Sequence, residues 1–183
     1  MFQVGVSNTV FLLVDVQKNL VPAMDNKIYS EKLKNMKILL EGAKILNVPI
    51  IYTEQYPKGL GETVDELQDL LKGARYYEKV TFSCCGNRDF LEEFSKEELE
   101  NVVVFGMETH ICVLQTVLDL LDMGLEVFVV KDAVQSRKKE NWETGLQFMS
   151  EAGAMLTSTE IVLFQLLKKA KTDEFKAISK LVK

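Results

Sequence analysis

The chain has 183 residues, a formal net charge of −5 and 47% hydrophobic residues. That length suits one domain with a sizeable core, and the acidic balance argues against nucleic acid and anionic membranes, which recruit basic patches. No apolar run reaches the roughly 20 residues of a membrane-spanning helix, and residues 1–7 lack the basic-then-apolar order of a secretion signal.

Residues 9–15 read as the first strand: five consecutive apolar residues ending on Asp15, a poor strand former. Residues 30–46 read as a helix, with Leu33, Met36, Ile38, Leu39, Leu40 and Ile45 at apolar positions. Residues 48–53 form the second strand, with Pro49 tolerated near its start. The least regular stretch, 54–75, carries Gly59 and Gly61. No GxGxxG follows the first strand and no GKS or GKT exists, so it reads as a surface loop walling a pocket. Residues 79–82 are a short third strand and 101–105 the fourth, followed by a helix over 113–121. Residues 125–130 and 154–158 are strands five and six. Helices over 159–169 and 173–183 close the chain, the last with Phe175, Ile178 and Leu181 on one face. Strands alternating with helices predict one α/β domain spanning 1–183, with a mostly parallel sheet of strand order 3-2-1-4-5-6.

Cys112 is the most informative residue. It follows Gly106 and the buried strand Val102–Phe105 and opens a helix, the place where open α/β sheets bind ligands. By helical phase, Val113, Leu114, Val117, Leu120 and Leu121 form one apolar face, while Cys112 lies opposite with Thr116 and Asp119. A packing cysteine belongs in the apolar stripe, so a reactive thiol is the sharper reading. A helix N-terminus and a nearby ammonium are expected to lower its pKa. Asp15 ends a strand on the same sheet edge, and Lys79 sits among Tyr76, Tyr77 and Phe82. His110, the one histidine, falls about 160° from Cys112 around a helix axis and is expected to be a satisfied core or edge residue. The reactive group is therefore assembled from Asp15, Lys79 and Cys112. Cys84 and Cys85 have no CxxC partner and read as structural; with a single histidine, no Cys/His zinc site is expected. Three cysteines, an odd number, without a secretion signal fit free thiols in a reducing compartment, so a cytoplasmic location is expected.

The segments Val14-Asp15-Val16-Gln17, Glu78-Lys79-Val80-Thr81-Phe82 and Gly106-Met107-Glu108-Thr109-His110-Ile111-Cys112-Val113 together resemble the isochorismatase-like cysteine hydrolase superfamily. Residues 53–61 and 118–121 are similar in particular to the eukaryotic isochorismatase-domain-containing proteins. The resemblance implies a three-layer α/β fold with a six-stranded parallel sheet, an Asp15-Lys79-Cys112 triad, a cis peptide between Met107 and Glu108, and an oxyanion hole from the N–H groups of Glu108 and Cys112. Gln17, Tyr56 and Phe82 are expected to contact substrate. Nicotinamidases of the superfamily place metal ligands where this chain has Thr53, Glu54 and Gln55, so no metal or other cofactor is expected. Isochorismatase proper lacks the nucleophilic cysteine. The expected activity is therefore metal-independent hydrolysis of a small amide-like C–N bond through a thioester, by a homo-oligomer, a dimer or larger. The competing reading is a catalytically silent binding or scaffold protein that keeps the fold.

Overall fold

The apolar β-branched run Thr9–Val14 (β1) is buried at every position, as expected for a central strand covered on both faces. In the computed structural model, which describes residues 4–96 and 99–183, β1 pairs in parallel with Ile50–Gln55 (β2) and Asn101–Met107 (β4). Residues 1–3 of the N-terminal stretch lie outside the described residues. Arg75–Lys79 (β3) pairs with β2, Glu126–Gln135 (β5) with β4, and Met155–Thr157 (β6) with β5. The order is β3-β2-β1-β4-β5-β6, all parallel, as the strand–helix alternation predicts.

Asn26–Leu46 (α1) starts where the Asp25 carboxylate accepts the Ile28 N–H, an N-cap that replaces one missing intrahelical partner. Pro57–Leu60 (α2) and Asp65–Gln68 (α3) are single turns within the stretch read as loop. Arg88–Lys96 (α4), Leu114–Asp122 (α5), Lys139–Glu151 (α6), Thr159–Leu167 (α7) and Asp173–Leu181 (α8) complete the helices. α1 packs on β5, α7 and α8, whereas α5 packs on β5 and α6, giving helical layers on a shared sheet. Of the α8 face read from sequence, Ile178 is buried and Phe175 makes an edge-on contact with Phe164.

Several boundaries differ from the sequence reading. β1 stops at Val14, because Asp15 adopts φ 49°, outside the strand region. The third strand is Arg75–Lys79, not 79–82: Tyr76 and Tyr77 pair with Tyr52 and Thr53, and Val80 lies beyond the ladder and is 74% exposed. Lys79 therefore closes β3 at its carboxyl end instead of opening it. β5 runs on to Gln135, past Lys131 and Asp132, where the apolar pattern breaks. Asp132 sustains the strand there by accepting the Thr159 N–H and hydroxyl. Helices α4 and α6 are not among the elements read from the sequence. In α6 only Gly145, Leu146 and Met149 are buried, too few to write an apolar stripe.

Candidate active site

The site begins with a glycine. Gly106 pairs with Val14 and has φ +120°. A Cβ there would lie 2.1 Å from the Val14 carbonyl oxygen, so only glycine lets β4 approach β1 this closely. Just beyond this contact the two strands turn in different ways. β1 leaves through Asp15 in the left-handed region, which aspartate tolerates better than most residues. β4 leaves through a cis peptide between Met107 and Glu108. Thr109–Val113 then form one π-helical turn ahead of α5, not the ordinary first helical turn the sequence suggests. That turn sets the Cys112 thiol beside Asp15, close enough for the carboxylate to act on its ionisation.

Asp15 is fully buried and accepts from two donors: Thr53 Oγ1 at 2.7 Å on Oδ1 and Lys79 Nζ at 2.6 Å on Oδ2. The Lys79 ammonium also donates to Gln55 Oε1 at 2.8 Å, Phe82 O at 2.9 Å and Thr81 O at 3.3 Å. Its three protons are thus all engaged. Burial, the largest single effect, would lower the Lys79 pKa, but the Asp15 charge and hydrogen bond together with Cys84 and Cys112 outweigh it, and the net direction is upward. The Cys112 thiol, 8% exposed, is pushed far above the ordinary thiol range by burial and then by Asp15; Lys79 opposes both without prevailing. The expectation of a lowered thiol pKa is therefore overturned. The resting site holds a neutral S–H beside a carboxylate.

Cys84 also belongs to this cluster, which the sequence does not announce. It is wholly buried. Its Sγ donates to Thr53 Oγ1 at 3.7 Å, and its backbone N–H donates to Thr116 Oγ1 at 3.0 Å. Since the carboxylate can only accept, Thr53 must donate to Asp15 and accept from Cys84, which fixes the direction of the chain. Burial raises the Cys84 pKa to about 11. The legible signal was the polar side of α5. Thr116 and Asp119, which share it with Cys112, dock the 83–84 turn, Asp119 Oδ2 accepting from Ser83 Oγ at 2.5 Å.

The other candidates fall elsewhere. Glu108 is buried, and its Oε2 accepts the Arg137 N–H at 2.9 Å and Nε–H at 3.0 Å. His110 turns away from Cys112: Nδ1 bonds Ser136 Oγ at 2.9 Å, and Nε2 accepts from Asn141 at 3.2 Å. Burial lowers its pKa. Gln17, expected to meet substrate, is fully buried with both amide protons committed, to Gln55 O and Gly61 O, while its oxygen accepts the Gln55 N–H. It ties the 55–61 segment to β1 and has no donor left for a ligand. Tyr56 and Phe82 are half exposed beside Lys79, through the Tyr56 N–H to Lys79 O bond and the Phe82 carbonyl. Thr53 and Gln55 serve the cluster, and Glu54 bonds Thr63 and Tyr76. Among the described residues no three His, Cys, Asp or Glu side chains are grouped to hold a metal ion.

The model of the isochorismatase domain matches residues 9–161, a span that contains the whole cluster. This chain belongs to the isochorismatase family. Isochorismatase domain-containing protein 1 of Salmo salar is 38% identical over 178 residues, 97% of this chain; the chain spans 62% of that relative's length. Among solved structures, the MAR1 ribonuclease from Caenorhabditis elegans superposes with TM-score 0.92 at 34% identity, covering 98% of this chain and 92% of that one. YcaC from Pseudomonas aeruginosa, with hexane-2,5-diol and covalent acrylamide, superposes with TM-score 0.91 at 25% identity, covering 98% and 91%. In this isochorismatase-family chain no helix among the described residues is long and apolar enough to cross a membrane.

Proposed function

We propose that this protein is a metal-independent cysteine hydrolase, one domain over residues 1–183, that cleaves a small amide-like C–N bond. The observation that carries the reading is the buried Cys112 thiol set beside Asp15, itself paired with Lys79 at 2.6 Å. As Cys112 Sγ attacks the substrate carbonyl, its proton passes to Asp15 and the S–C bond forms. The N–H groups of Glu108 and Cys112 receive the oxyanion. Collapse breaks the C–N bond, and Asp15 returns the proton to the leaving amine. Water, deprotonated by Asp15, then cleaves the thioester and restores the thiol. Lys79 has no N–H to spare, so it acts through its charge, holding Asp15 in place and offsetting the negative charge that forms on sulfur. Tyr56 and Phe82 flank the entrance as apolar contacts for substrate.

The covalent acrylamide of the YcaC relative supports a nucleophile in this fold, since an acrylamide adduct requires one. A ribonuclease reading, suggested by the Caenorhabditis relative, would bring polyanionic substrate to a chain of net charge −5. The scaffold reading leaves a buried Asp–Lys–Cys cluster without purpose. The protein would work on a small molecule in the cytoplasm, where Cys84, Cys85 and Cys112 stay free. Assembly as a homo-oligomer would cover exposed Val80; sedimentation showing only a 20.8 kDa species would refute it. The deciding experiment is a turnover screen of small amides, ureides, carbamates and RNA. Hydrolysis of a C–N substrate that Cys112→Ala abolishes is expected. Turnover of RNA alone, or activity surviving in Cys112→Ala, would overturn the proposal.

A further inference from the structure

A cavity of about 370 Å³ opens at the carboxyl edge beyond β5. It lies within the usual range for small organic ligands, roughly 300–1,000 Å³. β4 separates it from β1, because Met107 pairs with Gln135, and none of Asp15, Lys79 and Cys112 lines it. Its walls come from three places: Ile28 and Lys32 early in α1, Gln135 and Arg137 after β5, and Trp142 in α6.

Three features of these walls bear on a ligand, although Lys32 is also under the charge of Asp132 and Glu31. Gln135 is 98% buried by its 2% exposure; its Nε2 donates to Asp25 O at 3.3 Å, but its Oε1 has no partner. A buried carbonyl oxygen left unpaired is costly, so a donor from outside the chain is the natural complement. Trp142 uses its one polar atom on Val134 O at 3.1 Å, so its ring offers only apolar surface. Lys32 Nζ lies 5.0 Å from the centre of that ring and donates to Lys131 O at 2.9 Å. Among the described residues no carboxylate comes within the 4.0 Å of an ion pair with it. Two carboxylates share the wall. Asp25 is engaged as the α1 cap on the Ile28 N–H, and Glu31 is exposed.

We propose that this cavity binds a small planar organic acid that carries an N–H group. The N–H would donate to Gln135 Oε1, the plane would lie on Trp142, and the carboxylate would pair with the Lys32 ammonium. The site stands apart from the thiol chemistry and does not depend on it. It is nevertheless joined to that chemistry by Arg137, which holds the Glu108 carboxylate at the start of the turn bearing Cys112.

Trp142 is the only tryptophan of the chain, so its emission and its single indole N–H resonance both report on this cavity. Hippurate (N-benzoylglycine) has the ring, the N–H and the carboxylate; benzoate lacks the N–H, and N-methylbenzamide lacks the acid. Titration of the full chain with hippurate should give a saturable change in both signals. The two truncated probes should bind at least about tenfold more weakly. Gln135→Leu and Lys32→Met should each weaken hippurate by a similar factor, while Cys112→Ala should leave it unchanged. Gln135→Glu, which keeps a polar side chain but adds charge, should also lose it, guarding against a loss of fold in the leucine variant. No saturation by hippurate, or affinity indifferent to the Gln135 and Lys32 changes, would overturn the proposal. So would a loss in only one of those two variants, because the two anchors are proposed to act on one ligand. A failure of the hydrolase reading shows instead in Cys112→Ala turnover and leaves these titrations untouched.

Discussion

At the residue scale, the state of Cys112 decides the chemistry. Burial and the Asp15 charge both disfavour thiolate, and together they exceed the pull of Lys79. The thiolate is the alkylating species, so the rate of Cys112 with iodoacetamide should be low at pH 7. It should keep rising about tenfold per pH unit through pH 10, without the plateau near 8.5 of an ordinary thiol. Asp15→Asn removes the second cause of the upward shift and should speed alkylation at a fixed pH, while abolishing hydrolysis because the proton acceptor is gone. Peptide-level mass spectrometry across pH reads both effects; a plateau near 8.5 in the unaltered chain would contradict the shift. Sequence made Asp15 and Cys112 visible because each follows a strand on the ligand-binding edge, whereas Lys79, read as opening a strand, was visible through its aromatic neighbours and the family resemblance. It hid Cys84 and Thr53, whose importance comes from one 3.7 Å and one 2.7 Å contact across elements far apart in the chain. It also gave the wrong sign for the thiol: a helix terminus is visible in a sequence, and depth of burial is not.

At the element scale, the close passage of β1 and β4 positions the cluster, and Gly106 permits it. Gly106→Ala would drive a methyl into the Val14 carbonyl at a positive φ. The expected cost is on the order of 2–4 kcal/mol, combining backbone strain with overpacking. A urea titration should show the midpoint falling with the slope unchanged; no loss would mean the strands can part without consequence. Strand identity and order were legible because β1, β4 and the early part of β5 are continuous apolar runs. Their ends were not, since Asp15, Glu54 and Asp132 are held by hydrogen bonds that no local pattern encodes. The displacement of β3 toward Arg75 has a similar origin. Tyr76 and Tyr77 find partners on β2, whereas Val80, the stronger strand former by type, finds none and is left exposed.

At the scale of the whole molecule, three thiols titrate above their ordinary range, Cys84 at about 11, Cys85 at about 12 and Cys112 higher still, each chiefly through burial. In the unfolded chain they ionise near 8.5. Between that pH and the folded values the unfolded state binds fewer protons than the native one, so stability falls as pH rises. Tm should decline from pH 8 to pH 11, and Cys84→Ser should make the decline shallower; an equal slope in that variant would show that Cys84 is not held neutral. The same burial protects the thiol that the account makes central. The most direct test of that role is whole-protein mass spectrometry during turnover of an activated acyl donor such as p-nitrophenyl acetate. One acetyl group should appear, map to Cys112 and decay with hydrolysis; it should persist in Asp15→Asn, which lacks the base for water, and be absent in Cys112→Ala. Acetyl on Cys84 or Cys85 instead, or product formed by Cys112→Ala at the unaltered rate, would contradict the assignment of Cys112 as the nucleophile.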